Sequence, residues 1–272
     1  MAVTAITKKQ IRDDLILRFT QGKPSSDFEV PNSQIDRWID ISRDRFLADL
    51  LFKTGKYDGF YIDPTYVTIE KDLALTVVAS TDENEQKCTV VQPILSTPLN
   101  DYGLVRVRVK LVASPYTHTT CNKVDRRTLH DLNLMEFSAP TATNPVVYRE
   151  GQDLYFSNIA PETNDWVTGT VYAVGDFVVE SSIRYKCLTA HTAPALFATD
   201  QSTNWEIAQS ATVEYVEAMT GSDKDYSISE VHVADITEMA EEIGKRELGI
   251  MIVDPVNDGD QNPPAQPQIN RR

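Results

Sequence analysis

Apolar residues recur at helical spacing in three stretches, two near the amino end of the chain and one near the carboxyl end. The first predicted helix begins at Thr7, which with Gln10 has the spacing of a capping box. The second is expected to start after Ser33, which has the same cap spacing with Asp36, and to end in a left-handed cap at Gly55. Its apolar stripe is broad and consists of Ile35, Trp38, Ile39, Phe46, Leu47, Leu50 and Leu51. This breadth predicts that the helix contacts both the core and a neighbouring subunit.

The third predicted helix lies near the end of the chain. Asp235 and Glu238 mark its start, and Gly249 marks its end. Lys245 and Arg246 fall in its last turn, where positive charge suits the helix dipole.

Strand-like segments fill the middle of the chain, at residues 66–69, 73–78, 87–91 and 104–112. The last segment alternates strictly, with an apolar face of Val105, Val107, Val109 and Leu111 and a basic face of Arg106, Arg108 and Lys110. The basic face has two interpretations: it is solvated, or Arg106 and Arg108 contact an acidic neighbouring subunit.

A different pattern occupies residues 163–209, where aromatic residues and turn glycines follow one another closely. Flanking segments at 146–157 and 211–218 are rich in β-branched and aromatic residues and predict two strands of one hairpin. Because exposed hairpin tips tolerate insertions, residues 163–209 are expected to form a separate module at such a tip. The expected organisation is a discontinuous core domain at 1–162 and 210–252, the inserted module, and an extended arm at 253–272.

The fold class that follows is α+β, with a helical bundle plus antiparallel strands and a small all-β module inserted at the hairpin tip. The arm contains several prolines and almost no large apolar residues, so it cannot form a core of its own. It is either a flexible end or a segment that orders on a neighbouring chain through Arg271 and Arg272, which an acidic surface would attract.

The composition of the chain argues against several classes of function. Of 272 residues, 41% are hydrophobic and the formal net charge is −14, which argues against a nucleic-acid-binding surface. No apolar run is long enough for a membrane span, and the amino terminus lacks the apolar core of a secretory signal. Three widely spaced cysteines cannot all pair, so reduced thiols and synthesis in a reducing compartment are expected.

The sequence predicts neither an enzyme nor a bound cofactor. No phosphate-binding glycine loop, nucleophile elbow or zinc-protease motif is found in the sequence. His118 with Cys121, and the nearby pair His130 and Asp131, would form only a weak metal site without a second ligand pair, so no metal is expected.

The pattern within 163–209 is Trp…Gly-x-x-Tyr-x-x-Gly-Asp-x-Val…Tyr-x-Cys…His-Thr…Trp-Glu, and it covers about a sixth of the chain. It resembles small carbohydrate-binding modules of the chitin-binding type. That resemblance implies a polysaccharide held by exposed aromatic rings, for which the candidates are Trp166, Tyr172, Tyr185 and Trp205. Small β-modules also need aromatic residues for their own core, so burial of each ring is the alternative. The single Cys187 excludes a disulfide within the module.

Outside the module, the layout of helices, strands, final helix and arm resembles head-to-tail connector proteins of tailed bacteriophages. The segments at 6–52, 146–159 and 212–248 look most like the ring or adaptor proteins of short-tailed crAss-like phages. This resemblance implies a virion structural protein: a homo-oligomeric ring, commonly a dodecamer, below the portal protein and beside other tail proteins, with DNA passing through the channel without specific binding. Trp38, Arg106, Arg108, Arg271 and Arg272 are the candidate interface residues.

Two classes of function therefore remain open. One is a ring component of the virion head–tail junction, whose acidic channel wall would let DNA slide. The other is a glycan-binding virion protein that uses the inserted module on a surface glycan.

Overall fold

The computed structural model describes residues 5–20, 30–55, 62–78, 85–97, 103–110, 118–133, 140–141, 144–157, 164–222 and 224–248. The chain divides into two compact units, Met1–Arg43 with Thr220–Arg272, and Asp44–Met219. Both the arm at 253–272 and its Arg271 and Arg272 lie outside the described residues.

The helices of the described chain are α1 Lys8–Phe19, α2 Asn32–Gly55, α3 Arg126–Asn133, α4 Phe197–Asn204 and α5 Glu230–Glu247. The strands are β1 Ala5–Thr7, β2 Val67–Ala74, β3 Thr76–Val77, β4 Gln86–Thr89, β5 Leu104–Lys110, β6 Thr119–Thr120, β7 Asn122–Lys123, β8 Val146–Glu150, β9 Asp153–Ser157, β10 Asn164–Asp165, β11 Val171–Tyr172, β12 Phe177–Glu180, β13 Ile183–Cys187, β14 His191–Thr192, β15 Trp205–Ile207, β16 Ser210–Val216 and β17 Ser227–Ser229. The mixed α+β class is confirmed.

The first unit joins the two ends of the chain. Strand β1 pairs antiparallel with β17, and α1 and α5 follow directly from these strands. Gly244 of α5 lies against the rings of Phe19 and Trp38, which also contact each other edge to face at 5.7 Å. A buried ion pair of 2.8 Å between Lys8 and Asp40 links α1 to α2. In this unit α1, α5 and the part of α2 up to Arg43 therefore pack together.

The predicted helix starts agree with the structure only where a local cap decides them. Thr7 caps α1 in a complete capping box with Gln10, as predicted. The start predicted after Ser33 is wrong, because α2 begins at Asn32, directly after Pro31, whose carbonyl accepts the Gln34 N–H at 2.9 Å. The start of α5 is also earlier than predicted, since it follows β17, whose pairing with β1 is a tertiary contact.

The second unit contains two main sheets that share one core. One has the order β2-β16-β5-β6, and the other has nine strands in the order β10-β12-β13-β3-β4-β9-β8-β7, with β15 added beside β13. The shared core takes residues from both sheets, including Leu154 and Phe156 of β9 and Val107 and Val213 of β5 and β16. The predicted alternation is confirmed from Arg106 to Lys110, because Val107 and Val109 are fully buried while Arg106 is exposed. It does not hold at the start of β5, where Leu104 is buried and Val105 only half-buried, and Leu111 lies outside the described residues.

The predicted hairpin around the module is wrong. Strand β9, on its amino side, pairs with β4 and β8, whereas β16, on its carboxyl side, pairs with β2 and β5. The flanking strands thus belong to different sheets, and the module does not stand at a hairpin tip. Similar β-branched composition could not distinguish these pairings, since strand partners are chosen by tertiary packing.

The module is also not all-β, because α4 lies within it. This helix has eight residues and mostly polar composition, too short for a helical pattern to be recognised in the sequence. Among the helices described, none is long and apolar enough to cross a membrane.

Candidate functional site

The segment from β10 to β15 builds the module around a short antiparallel sheet. Strands β12 and β13 form a hairpin with register Glu180↔Ile183, and β15 pairs with the other edge of β13. The hairpin turn consists of Ser181 and Ser182, both with positive φ, which matches the twist of two-residue hairpin loops. Gly175, with φ of 97°, forms the predicted turn, which the Asp176 carboxylate closes by accepting the Ala173 N–H at 2.7 Å.

The four candidate aromatic residues occupy different environments. Tyr172, Tyr185 and Trp205 are 8%, 5% and 5% exposed, so they form the module's core rather than a sugar-binding surface. Trp166 is only partly buried and packs at the edge of that core, with its ring 5.6 Å from the ring of Phe197. The other three rings therefore pack in the core of the module, which was the alternative to stacking on a sugar. A module this small has few other large side chains to bury.

A buried polar network holds the carboxyl half of the module together. The Asp200 carboxylate accepts hydrogen bonds from Trp205 Nε1 at 2.7 Å and Asn204 Nδ2 at 2.5 Å, and lies 2.6 Å from His191 Nε2. Burial raises the pKa of Asp200, but the bonds from Asn204, Trp205 and His191 lower it more, so the net pKa is below its usual value. The carboxylate thus links α4, β14 and β15.

Cys187 lies beside this network, with its Sγ 3.7 Å from His191 Nδ1. The order of thiol, imidazole and carboxylate resembles a nucleophilic triad, but the thiol is fully buried and donates to the Thr189 carbonyl at 3.1 Å. Burial raises the pKa of Cys187, which disfavours the reactive thiolate. The arrangement therefore suits packing rather than nucleophilic catalysis.

The outside of the module carries aliphatic and charged groups. Val171, Val174 and Leu196 are 74%, 66% and 65% exposed. On the sheet face opposite the core, the half-buried Phe177 stands next to Lys186, whose Nζ lies 3.8 Å from the Glu206 carboxylate. Among the described residues, no group of three or more His, Cys, Asp or Glu side chains could hold a metal ion.

Three of the candidate interface residues, Trp38, Arg106 and Arg108, lie in the described part of the chain. Trp38 is fully buried, and its Nε1 donates to Glu247 at 2.8 Å, so it is a core residue rather than part of a subunit interface. Arg106 and Arg108 flank Glu214 of the neighbouring strand at 4.0 and 2.7 Å. Their charge is thus compensated in part within the same chain.

Sequence reasoning missed Asp200 altogether. The His191-Thr192 pair was part of the pattern, but Asp200 lies in a helix that the pattern did not predict. A buried carboxylate has no sequence signal of its own, so only the fold reveals its partners.

Comparison with protein families gives a match that coincides with this module. Residues 165–206 match the model of carbohydrate-binding module family 5/12. No curated protein matches the chain. The match supports an inserted carbohydrate-binding module in the second unit.

Proposed function

We propose that the chain is a carbohydrate-binding protein whose module at 165–206 attaches it to a polysaccharide. The family match carries this proposal. The folded core of Tyr172, Tyr185 and Trp205 supports it, because these residues keep the module's sheet and turns in place. Binding is the role of such a module, so no catalytic group is required of it.

Trp166 is the aromatic residue of the module that we assign to the sugar. The residue is partly exposed although its Nε1 is buried, whereas the other three candidate residues are buried. Two contacts hold the residue in position. Its ring meets the ring of Phe197 edge to face, and its main-chain N–H donates to the Val179 carbonyl at 3.0 Å. An aromatic ring fixed before binding loses little conformational entropy when a sugar stacks on it.

The test mixes the full chain with insoluble chitin and, separately, cellulose, and measures the protein left in solution. The wild-type chain should be depleted, and Trp166→Ala should remain largely in solution. Trp166→Phe keeps an aromatic face, and Val171→Ala changes an exposed apolar residue of the module, so both should bind nearly as the wild type does. Circular dichroism of each variant checks the fold. Failure of the wild type to bind either polysaccharide would remove the proposal.

A ring component of a phage head–tail junction is our second proposal. Its support is the layout of the chain, in which α1, α5 and the part of α2 up to Arg43 fall in one compact unit. In such a protein the module would bind a surface glycan and so attach the virion to it. Light scattering after size-exclusion chromatography, together with electron micrographs, tests it: closed rings are expected, and a strict monomer at high concentration would contradict it.

A further inference from the structure

The outer face of the four-stranded sheet, which points away from the shared core, carries several basic side chains. In β5, Val107 and Val109 point into that core. Because successive residues of a strand alternate between its two faces, Arg106, Arg108 and Lys110 point outward. The side chains of Arg106 and Arg108 are 55% and 35% exposed, so they are accessible from solvent.

Strand β2, at one edge of the same sheet, adds to this surface. A bulge in its pairing with β16 places Lys71 and Asp72 together opposite Thr212. Both Lys71 and Asp72 are exposed, and Ile69, which pairs with Glu214 of β16, is 51% exposed. We call the outward-facing set the basic face, which consists of Ile69, Lys71, Arg106, Arg108 and Lys110.

The charge of the basic face is balanced only in part within the chain. Its four cations have two neighbouring carboxylates, those of Asp72 and Glu214. Glu214 lies 2.7 Å from Arg108 and 4.0 Å from Arg106. Among the residues that the structure describes, Lys71 and Lys110 have no ion-pair partner. The face therefore keeps a net positive charge on a chain whose formal net charge is −14.

An acidic surface of similar length lies on α5. Asp235, Glu238 and Glu242 recur at intervals of three and four residues, so they share one side of the helix. All three are exposed, and the buried residues of α5 lie on its opposite side. In the described part of the chain, Asp235 and Glu238 have no ion-pair partner, and Glu242 lies 3.7 Å from Arg246. With Val231, which is 76% exposed on the same side, these three residues form what we call the acidic stripe.

The two surfaces agree in spacing as well as in charge. Alternate residues of a strand are ~6.8 Å apart, so the basic face extends roughly 14 Å along β5. A helix rises ~1.5 Å per residue, so the acidic stripe extends roughly 10 Å between its first and last carboxylates. Each surface also presents one exposed aliphatic residue, Ile69 or Val231. A helix laid on the sheet would therefore bring opposite charges together along its length.

We propose that the acidic stripe of one copy of this chain binds the basic face of a second copy. A protein surface fits better than a nucleic acid or an anionic glycan, because Ile69 lies among the cations and Val231 offers it an apolar counterpart. The two surfaces differ, so the contact is head to tail, and its repetition closes into a ring where the rotation allows. The inference goes beyond sugar binding and rests on the ring proposal, whose subunit contact it names.

The experiment measures self-association of the full chain by sedimentation velocity over a range of concentrations. The wild type should form oligomers. Arg106→Glu and Glu238→Lys each replace an attraction by a repulsion, and each should raise the dissociation constant of self-association about five-fold. Arg126→Glu, in a 74% exposed side chain of α3, and Asp165→Lys, in an exposed residue of the module, make the same two charge changes elsewhere and should leave it unchanged.

Combining Arg106→Glu with Glu238→Lys in one chain separates this contact from a general effect of charge. Every copy then carries both reversed charges, so opposite charges face each other again across the contact. The double variant should therefore associate more tightly than either single variant, a non-additive result that two independent sites would not give. Circular dichroism checks the fold of each variant.

The outcomes separate this inference from the proposed functions. If the wild type associates and both single variants associate equally well, another surface joins the copies, and the ring proposal is unaffected. If the wild type is strictly monomeric, the inference and the ring proposal both fail, whereas sugar binding is untouched. A monomeric chain that binds dextran sulfate, and loses this binding in Arg106→Glu, would assign the basic face to a polyanion and overturn the inference. Should Arg106→Glu not fold, Lys110→Glu replaces it with the same expected result.

Discussion

At the scale of single residues, Asp200 has the most consequential environment in the module. It is 4% exposed, and its carboxylate meets three side-chain donors from three elements. A buried charge of this kind is tolerated only because its hydrogen bonds are made, and removing the charge leaves its partners buried without an acceptor. The same residue therefore marks where a single substitution does most damage.

Replacing Asp200 by alanine should destabilise the module by about 3 kcal/mol, because Trp205 Nε1 and His191 lose their buried acceptor. Urea unfolding followed by tryptophan fluorescence measures this change, since Trp205 reports on the network directly. Asp165→Ala is the control within the same module, at an exposed carboxylate, and should change stability by less than about 0.5 kcal/mol. Equal stability of Asp200→Ala and the wild type would show that the network contributes nothing.

Low pH should lower the stability of the module, because Asp200 becomes protonated. The folded pKa of Asp200 is lowered below its ordinary value by its hydrogen bonds, against the opposing effect of burial. Its ionised form therefore stabilises the fold fully above the unfolded pKa of about 3.9, and this stabilisation is lost as the pH falls through the folded pKa. Unfolding curves at a series of pH values should show this loss in the wild type and a smaller loss in Asp200→Asn.

At the scale of elements, the packing of α5 depends on a missing side chain. A Cβ at Gly244 would lie 2.6 Å from Phe19 Cζ and 2.8 Å from Trp38 Cζ3. Trp38 is fully buried and its Nε1 is held by Glu247, so it cannot move aside freely. Glycine here permits the close approach of α5 to α1 and α2, at the cost in helix propensity that glycine always carries.

Gly244→Ala should consequently destabilise the first unit by about 1–3 kcal/mol, because overpacking outweighs the ~1 kcal/mol that alanine gains in helix propensity. Thermal unfolding followed by circular dichroism at the helical band measures it. Glu242→Ala, at an exposed position of the same helix, gains propensity without a clash and should be neutral or slightly stabilising. A higher melting temperature for Gly244→Ala would contradict the close packing.

Elements differ in how far the sequence predicted them. The start of α1 and the alternation over most of β5 follow from local chemistry, namely a capping box and a two-residue period, and both are confirmed. The hairpin of β8 and β9 has a local signal in the sequence: the two-residue turn at Gly151 and Gln152 fixes the register Glu150↔Asp153 and hence Tyr148↔Tyr155. The pairing of β9 with β4 had no such signal.

At the scale of the whole molecule, the module shares a sheet with its host instead of standing apart. Strand β13 pairs with β3, and the fully buried Gln86 donates to the Gln209 side chain at 2.6 Å, at the carboxyl end of the module. Autonomous folding of residues 163–209 remains the prediction from the sequence. The shared main-chain bonds instead favour unfolding together with the second unit, because removing β13 would leave β3 as an open edge.

Deletion of residues 165–207 with a short Gly-Ser bridge distinguishes these alternatives. We expect a lower melting temperature and poorer solubility than in the wild type. Val77→Pro, which removes the N–H that donates to Ser182 while the module is still present, should lower the melting temperature in the same direction. An unchanged melting temperature and helical signal in the deletion variant would instead establish the module as an independent unit.

The sequence by itself determined the features that depend on near neighbours: the mixed α+β class, the α1 cap, the alternation over most of β5 and the turn at Gly175. The module could also be recognised from the sequence, because its aromatic residues and turn glycines have a characteristic spacing. Only the tertiary structure decided that Tyr172, Tyr185 and Trp205 are buried while Trp166 is partly exposed, and that the strands beside the module belong to different sheets. An aromatic residue has the same identity in a core and on a surface, and strand partners are selected by packing between residues far apart in the chain.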